Sequence, residues 1–181
     1  MSIYTNPASA SKEDAEAYTR ALLELLGSQD PLAVLQDTPA AARQLARDLT
    51  PGELRTPEAE GKWCAAEVLQ HLADSELVWG YRLRRILTED RPALHGYDQD
   101  RWASRLRYAD TDVEQALEMF GALRVANLSL LEGATGADLE RCGEHEERGS
   151  ESIAQMMRLY AGHDLAHRRQ LARIRTALRD G

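Results

Sequence analysis

The amino-acid sequence predicts an all-α fold: a four-helix bundle with long crossover loops and a short extra N-terminal helix. Two observations carry that expectation. Ala, Leu, Glu and Arg dominate the chain, with a single Phe and only 12 Gly and 6 Pro in 181 residues, a balance that favours helix over strand. Apolar residues then recur every three to four positions over four long windows, the mark of one buried face per helix. A chain of this length is one domain by default, 1–181, and can bury about 70% of the surface that its unfolded form exposes.

Taken in order, residues 1–10 are small and polar and are expected to be loosely ordered. Ser11 ahead of Lys12-Glu13-Asp14 reads as an N-cap with acids in the first turn. Tyr18, Leu22, Leu25 and Leu26 then space Ala15 to Leu26 as a short helix that Gly27 stops. Asp30-Pro31 opens a short piece over Leu32 to Leu35, and Thr38-Pro39 opens the first long helix, to about Leu49. Two prolines and two glycines make 50–62 a connection. The second long helix runs from Cys64 to about Thr88, with Val68, Leu69, Leu72, Trp79, Leu83, Ile86 and Leu87 inward. His71 lies at the edge of that face, beside Ser75, Val78 and Arg82.

Residues 90–110 read as an irregular crossover, long enough to cover a site. Thr111 or Asp112 caps the third long helix, which turns Val113, Ala116, Leu117, Phe120, Leu123, Leu128 and Leu131 inward and ends near Glu132. Residues 133–149 form a second crossover, and Ser150-Glu151-Ser152 opens the last helix. In that helix Ile153, Met156, Tyr160, Leu171, Ile174 and Leu178 form one apolar stripe, with Leu165 the single apolar exception outside it. At ~100° per residue, His163 and His167 each fall within about 20° of the Met156 direction, inside the stripe.

Net charge and cysteine usage narrow the partners. The balance of −8 and the lack of a basic stripe with interleaved aromatics argue against nucleic acid. No apolar run approaches the ~18 residues needed to cross a bilayer, so no membrane is expected. Cys64 and Cys142 match no C-x-x-C pattern. Together with the lack of a basic, then apolar, leader, they suggest a reducing, cytoplasmic setting.

His163 and His167 stand one helical turn apart on one face, the geometry for two ligands on one ion. If the second and fourth long helices are neighbours, His71 joins them, and a bundle core is where such sites are built. Three protein nitrogens with an open position are the catalytic form of a divalent site. Taken alone, His71 reads as an ordinary core histidine, whereas two adjacent buried imidazoles are hard to satisfy without an ion. Asp164, Glu67 and Asp74 are candidates to accept the other ring N–H groups. His95 and His145 fall in loops and read as solvated. Arg82, Arg84 and Arg85 read as a solvated face, Tyr160 and the Met156/Met157 pair as core, and Cys64 as structural.

The stretch Gly61 to Glu76, with Trp63 ahead of His71-Leu72-Ala73-Asp74-Ser75-Glu76, resembles the first signature of the DinB/YfiT-like superfamily. Gly162-His163-Asp164, then His167 and Gln170-Leu171, resembles the second. Tyr97 to Ala103, and Gly143-Glu144-His145 with Gly149, resemble that family's crossover motifs in the same order. The resemblance spans roughly residues 30–175. It implies a DinB-like four-helix bundle whose divalent metal ligands map onto His71, His163 and His167. Three imidazoles suit Zn or Ni first, and Fe or Cu also.

Members of that superfamily resemble thiol S-transferases that use mycothiol or bacillithiol, and metal-dependent hydrolases. The leading expectation is therefore a metal site that makes a low-molecular-weight thiol co-substrate a thiolate for S-transfer to small electrophiles. The alternative is a hydrolase on metal-bound water, with Asp164, Glu76 or His145 assisting proton transfer. A non-catalytic, stress-related metal-binding protein is the third reading. The expected partner is a small-molecule substrate, and the resemblance favours a homodimer, formed through an exposed Trp79, Tyr81 or the N-terminal helix.

Overall fold

Seven helices and one small sheet follow one another along the described residues, 12–180 of the computed structural model. They are α1 (Lys12–Leu26), α2 (Pro31–Arg47), α3 (Ala65–Thr88), β1 (Ala93–Leu94), α4 (Gln99–Arg105), α5 (Val113–Glu132), α6 (Gly136–Leu139), β2 (Cys142–His145), β3 (Gly149–Ser152) and α7 (Ile153–Asp180). α2, α3, α5 and α7 make the four-helix bundle, each packed on two of the others, and α1 lies along α7. The expectation of loose order over residues 1–10 falls outside the described residues. Among those residues no helix is long and apolar enough to cross a membrane.

Local chemistry sets most boundaries. Gly27 adopts φ +56° and closes α1 with its N–H on the Leu23 carbonyl, 2.9 Å, the left-handed stop that glycine allows. Glu67 accepts the Cys64 N–H at 2.8 Å to start α3. Asp112, not Thr111, caps α5, accepting from the N–H groups of Glu114 and Gln115. Ser152 accepts from the Gln155 N–H at the start of α7.

The expected break before Thr38 does not occur. α2 is continuous from Pro31, with Asp30 as its cap and Pro39 inside it. A proline there removes the N–H that would bond the Leu35 carbonyl. That carbonyl instead accepts from the Arg124 guanidinium of α5 at 2.6 Å, so the helix survives because a neighbour takes up the freed acceptor.

The core has two apolar halves. One gathers Ala42, Ala46, Val68, Leu69, Leu72, Leu117, Phe120, Leu171 and Ile174. The other gathers Val34, Leu35, Trp79, Leu83, Ile86, Leu128, Leu131, Ile153 and Met156. Between them each helix carries polar groups inward: Thr38 on α2, Glu76 on α3, Arg124 and Asn127 on α5, Asp164 and His167 on α7. Trp79 is 0% exposed and stacks on Tyr160, as its place on the inner face of α3 predicts and contrary to its reading as an exposed dimer-surface residue, whereas Tyr81 is 63% exposed. Arg124, not Leu123, is the residue that α5 buries at that level.

The crossovers are less irregular than their composition suggests. β1 of the first pairs in parallel with β2 of the second, and β2 pairs antiparallel with β3. Strands of two and four residues are too short to show an alternating pattern. The sheet ties the crossovers into one cover at that end of α3 and α7.

α1 explains the Leu165 exception, because Leu165 packs with Tyr18, Leu22 and Leu25 of α1. The approach is close: a Cβ on Gly162 would stand 2.3 Å from the Leu22 carbonyl oxygen. In a free helix Gly→Ala stabilises by about 1 kcal/mol. Here Gly162→Ala should instead destabilise by about 1–3 kcal/mol through overpacking against backbone, read as a lower urea midpoint at unchanged slope.

Candidate metal centre

α3 and α7 turn three imidazoles to one point. The Nε2 of His163 stands 3.1 Å from the Nε2 of His71 and 3.2 Å from that of His167. The ligand atoms of the three rings all lie within 4.8 Å of one another. Nitrogens that share one tetrahedral ion at ~2.0–2.1 Å stand about 3.3 Å apart, so the donor set has the spacing that a single ion needs. Among the described residues this group contains no carboxylate or thiol, so no acidic or sulfur ligand fills a fourth position.

Protonation points the same way. Burial drives the pKa of His71 and His163 well below the usual imidazole value, and neighbouring histidines push in the same direction. Burial also lowers that of His167, against the opposing hydrogen bond from Gln170. The rings are therefore neutral, the state that ligation requires. The Gln170 Oε1, 2.9 Å from His167 Nδ1, is an acceptor only, so the proton sits on Nδ1 and the Nε2 lone pair faces the cluster. The edge of Trp63 packs on His71, ring centroids 5.1 Å apart. Beside His71 Nε2 lies the Ser75 hydroxyl at 3.3 Å, itself 2.8 Å from the Tyr97 hydroxyl.

The carboxylates expected to serve the rings are used elsewhere. Arg124, 1% exposed, donates to Asp164 Oδ2 at 2.7 Å and to Glu76 Oε2 at 2.8 Å. Asn127 donates to Glu76 Oε1 at 2.8 Å. Burial raises the Glu76 pKa against the pull of Arg124; burial also opposes the Arg124 charge, but the two carboxylates outweigh it. Glu67 caps α3, and Asp74 accepts from the Tyr108 hydroxyl and from Gln70. A histidine partner is supplied instead by Gln170, one turn beyond His167.

A cleft of about 530 Å³, its open mouth included, is lined by His71 and His163. His163 is the least buried of the three rings, and the cluster meets the cleft through it and His71 while His167 stays behind. Tyr18, Thr19, Ser75, Tyr97, Gln99, Tyr160, Arg82 and Arg148 supply the rest of its polar lining. Arg82, expected on a solvated face, is only 6% exposed, because α1 and the crossovers cover that side of α3. Arg84 is exposed and Arg85 half-buried, as the helical pattern predicts.

His145 also departs from expectation. It is 2% exposed on β2, its Nδ1 accepts the Glu147 N–H at 3.2 Å, and it does not line the cleft. Burial, reinforced by the charges of Arg148, Arg82 and His95, lowers its pKa to about 3. His95 is the solvated one, paired with Glu146. Of the six site candidates, then, the structure brings together His71, His163 and His167, ties Glu76 and Asp164 to Arg124, and leaves His145 apart.

A family model described as the DinB superfamily matches residues 35–171. A protein of Oceanobacillus iheyensis named "Putative metal-dependent hydrolase" is 33% identical over 133 residues, covering 74% of this chain and 77% of its own. A protein of the same name from Geobacillus thermodenitrificans is 30% identical over 146 residues, covering 80% and 82%. The solved structure of YfiT from Bacillus subtilis, described as "a probable metal-dependent hydrolase with an unusual four-helix bundle topology", superposes with a TM-score of 0.71 at 26% identity. It covers 94% of this chain and 92% of that one.

Removing one member of a buried ion network strands the others. Arg124→Met should therefore cost about 3–5 kcal/mol in urea unfolding. The triple variant Arg124→Met, Glu76→Gln, Asp164→Asn should recover part of that loss, because no unpaired charge then stays buried. A single-variant loss under about 1 kcal/mol, the range of exposed pairs, would contradict the network's role.

Proposed function

The chain belongs to the DinB superfamily, and from that premise we propose that it is a metal-dependent hydrolase. His71, His163 and His167 hold one divalent ion through their Nε2 atoms, zinc first and nickel next by the chemistry of three imidazoles. The observation that carries this reading is the convergence of three neutral rings at ligand spacing, beside a cleft and with no carboxylate or thiol in the group. Bound there, such an ion supplies a water of pKa near ~7 and a Lewis acid for the substrate carbonyl.

The chain's own residues do the positioning. Gln170 holds the His167 tautomer. Burial raises the Tyr97 pKa, so its phenol stays protonated, and the Ser75–Tyr97 hydroxyl pair offers a hydrogen-bond relay next to His71. Glu76 and Asp164 act through Arg124 as positioning residues and not as proton carriers. His145 does not line the cleft, and its Nδ1 is taken by the Glu147 N–H, so it is not assigned as the base.

Thiol S-transfer, the leading expectation from the sequence, gives way to hydrolysis, because the relatives' names support hydrolysis and nothing among the described cleft residues singles out a thiol. Protein purified without a histidine tag should carry close to one divalent ion per chain. His71→Ala, His163→Ala and His167→Ala should each lose it, with helix content retained by circular dichroism. Chelation should lower the melting temperature by about 5–10 °C if the ion is present at ~100 times its dissociation constant. Turnover of p-nitrophenyl acetate should need the ion and no thiol; turnover only with added bacillithiol, mycothiol or glutathione would overturn the hydrolytic reading.

A further inference from the structure

We propose that the cleft recognises substrates by an anionic group, a carboxylate or a phosphate, held by the guanidinium groups of Arg82 and Arg148. The direction in which the rest of the substrate points, toward the histidines, rests on the hydrolytic reading. The anion site does not.

Arg82 lies on the same stripe of α3 as His71 and Ser75, about 20° from His71 at ~100° per residue. It is buried, 6% exposed against 1% for His71 and 7% for His167, yet no carboxylate pairs with it among the described residues. Its donors reach the His95 carbonyl and, at 3.5 Å, the Tyr160 hydroxyl. A buried guanidinium without an anion is costly, and its planar fork matches a carboxylate or phosphate.

Arg148 reaches the same cleft from the β2–β3 turn. One of its terminal nitrogens donates to Glu151 Oε2 at 2.9 Å, while its Nε is buried without a partner. The Thr19 hydroxyl, on the α1 wall, is likewise buried and unpartnered. Glu151 balances one of the two cations, so the lining keeps a net positive charge in a chain whose total is −8. Glu146 feels Arg82 but faces solvent, its carboxylate held by the Gly96 N–H and His95. Tyr18, Tyr97 and Tyr160 add no negative charge, because burial keeps their phenols protonated. Tyr160 bridges the two parts of the cleft: its hydroxyl meets Arg82 and its ring centroid lies 6.0 Å from that of His163. A ligand of ordinary small-molecule size can therefore span from guanidinium to imidazole.

The test is calorimetric titration of the purified protein, with and without chelator treatment, against glutarate, glycerol 3-phosphate and neutral glycerol. At least one anion should bind about tenfold or more tightly than glycerol in both preparations, and the tighter of the two identifies the anion class. Arg82→Gln should lose about tenfold of that affinity and Arg82→Lys less. If Arg82→Gln does not fold, Arg148→Gln gives the same comparison. Anions that bind no better than glycerol, or a folded Arg82→Gln with unchanged affinity, would overturn the proposal. In zinc-loaded protein, mono-p-nitrophenyl glutarate should exceed p-nitrophenyl valerate in kcat/KM by a ratio that collapses in Arg82→Gln. Hydrolysis of neither ester would count against the hydrolytic reading alone, since the titration of chelated protein still decides the anion site.

Discussion

A guanidinium in the middle of a helix bundle is the constraint on which the other features depend. Arg124 reaches the other three bundle helices at once: the Leu35 carbonyl of α2, Glu76 of α3 and Asp164 of α7. Taking these charges out of water costs several kcal/mol per ion, and good geometry returns it only in part. Such a network is a poor source of stability but a strict source of register. Apolar ridges tolerate rotation or sliding of a helix at modest cost, whereas a buried carboxylate displaced from its partner leaves an uncompensated charge.

The register so fixed is the one that the histidines need. Asp164 follows His163 directly, and Glu76 lies five residues after His71, so clamping both carboxylates to one guanidinium sets the facing rotation of α3 and α7. Two apolar clusters lie above and below this polar layer and supply the burial energy that it does not. α1 then seals one side by lying against Gly162, at the residue before His163. The cleft is therefore a product of helix placement: polar layer for register, glycine for close approach, crossovers for a cover.

Legibility in the sequence follows the length scale of each signal. Helices of 15 to 28 residues repeat their apolar spacing often enough to be read, and His163 and His167 stand inside one such repeat. Arg124 also left a trace: it sits four residues after Phe120 and four before Leu128, so a charge interrupts the inward stripe of α5 where Glu76 and Asp164 interrupt two others. A charge in a stripe reads as a border residue until its partners are known, and those partners lie 40 and 48 positions away. Pro39 misled for the same reason, because the group that rescues the Leu35 carbonyl comes from a different helix. The burial of Arg82 and His145 depends on strands only a few residues long, which carry no periodicity. Short-range chemistry was readable, and pairings between distant elements were not.

Charge arithmetic across the bundle links the clamp to the proposed chemistry. Arg124, Glu76 and Asp164 together sum to one negative charge when both carboxylates are ionised, and the three imidazoles beside them are neutral. A divalent ion on those rings would therefore be only half balanced by the polar layer behind it. Among the described residues the side that faces the cleft offers no carboxylate to the ion, and of its two guanidinium groups only Arg148 pairs with an acid, Glu151. The remaining compensation would come from the cleft side, where an anionic ligand could supply it. In a bundle interior of low effective dielectric, that imbalance is felt over distances that water would screen. A layer that holds its charge behind the histidines and a cleft that withholds it in front would together favour a negatively charged ligand on the cleft side, which is where the proposed anion site lies.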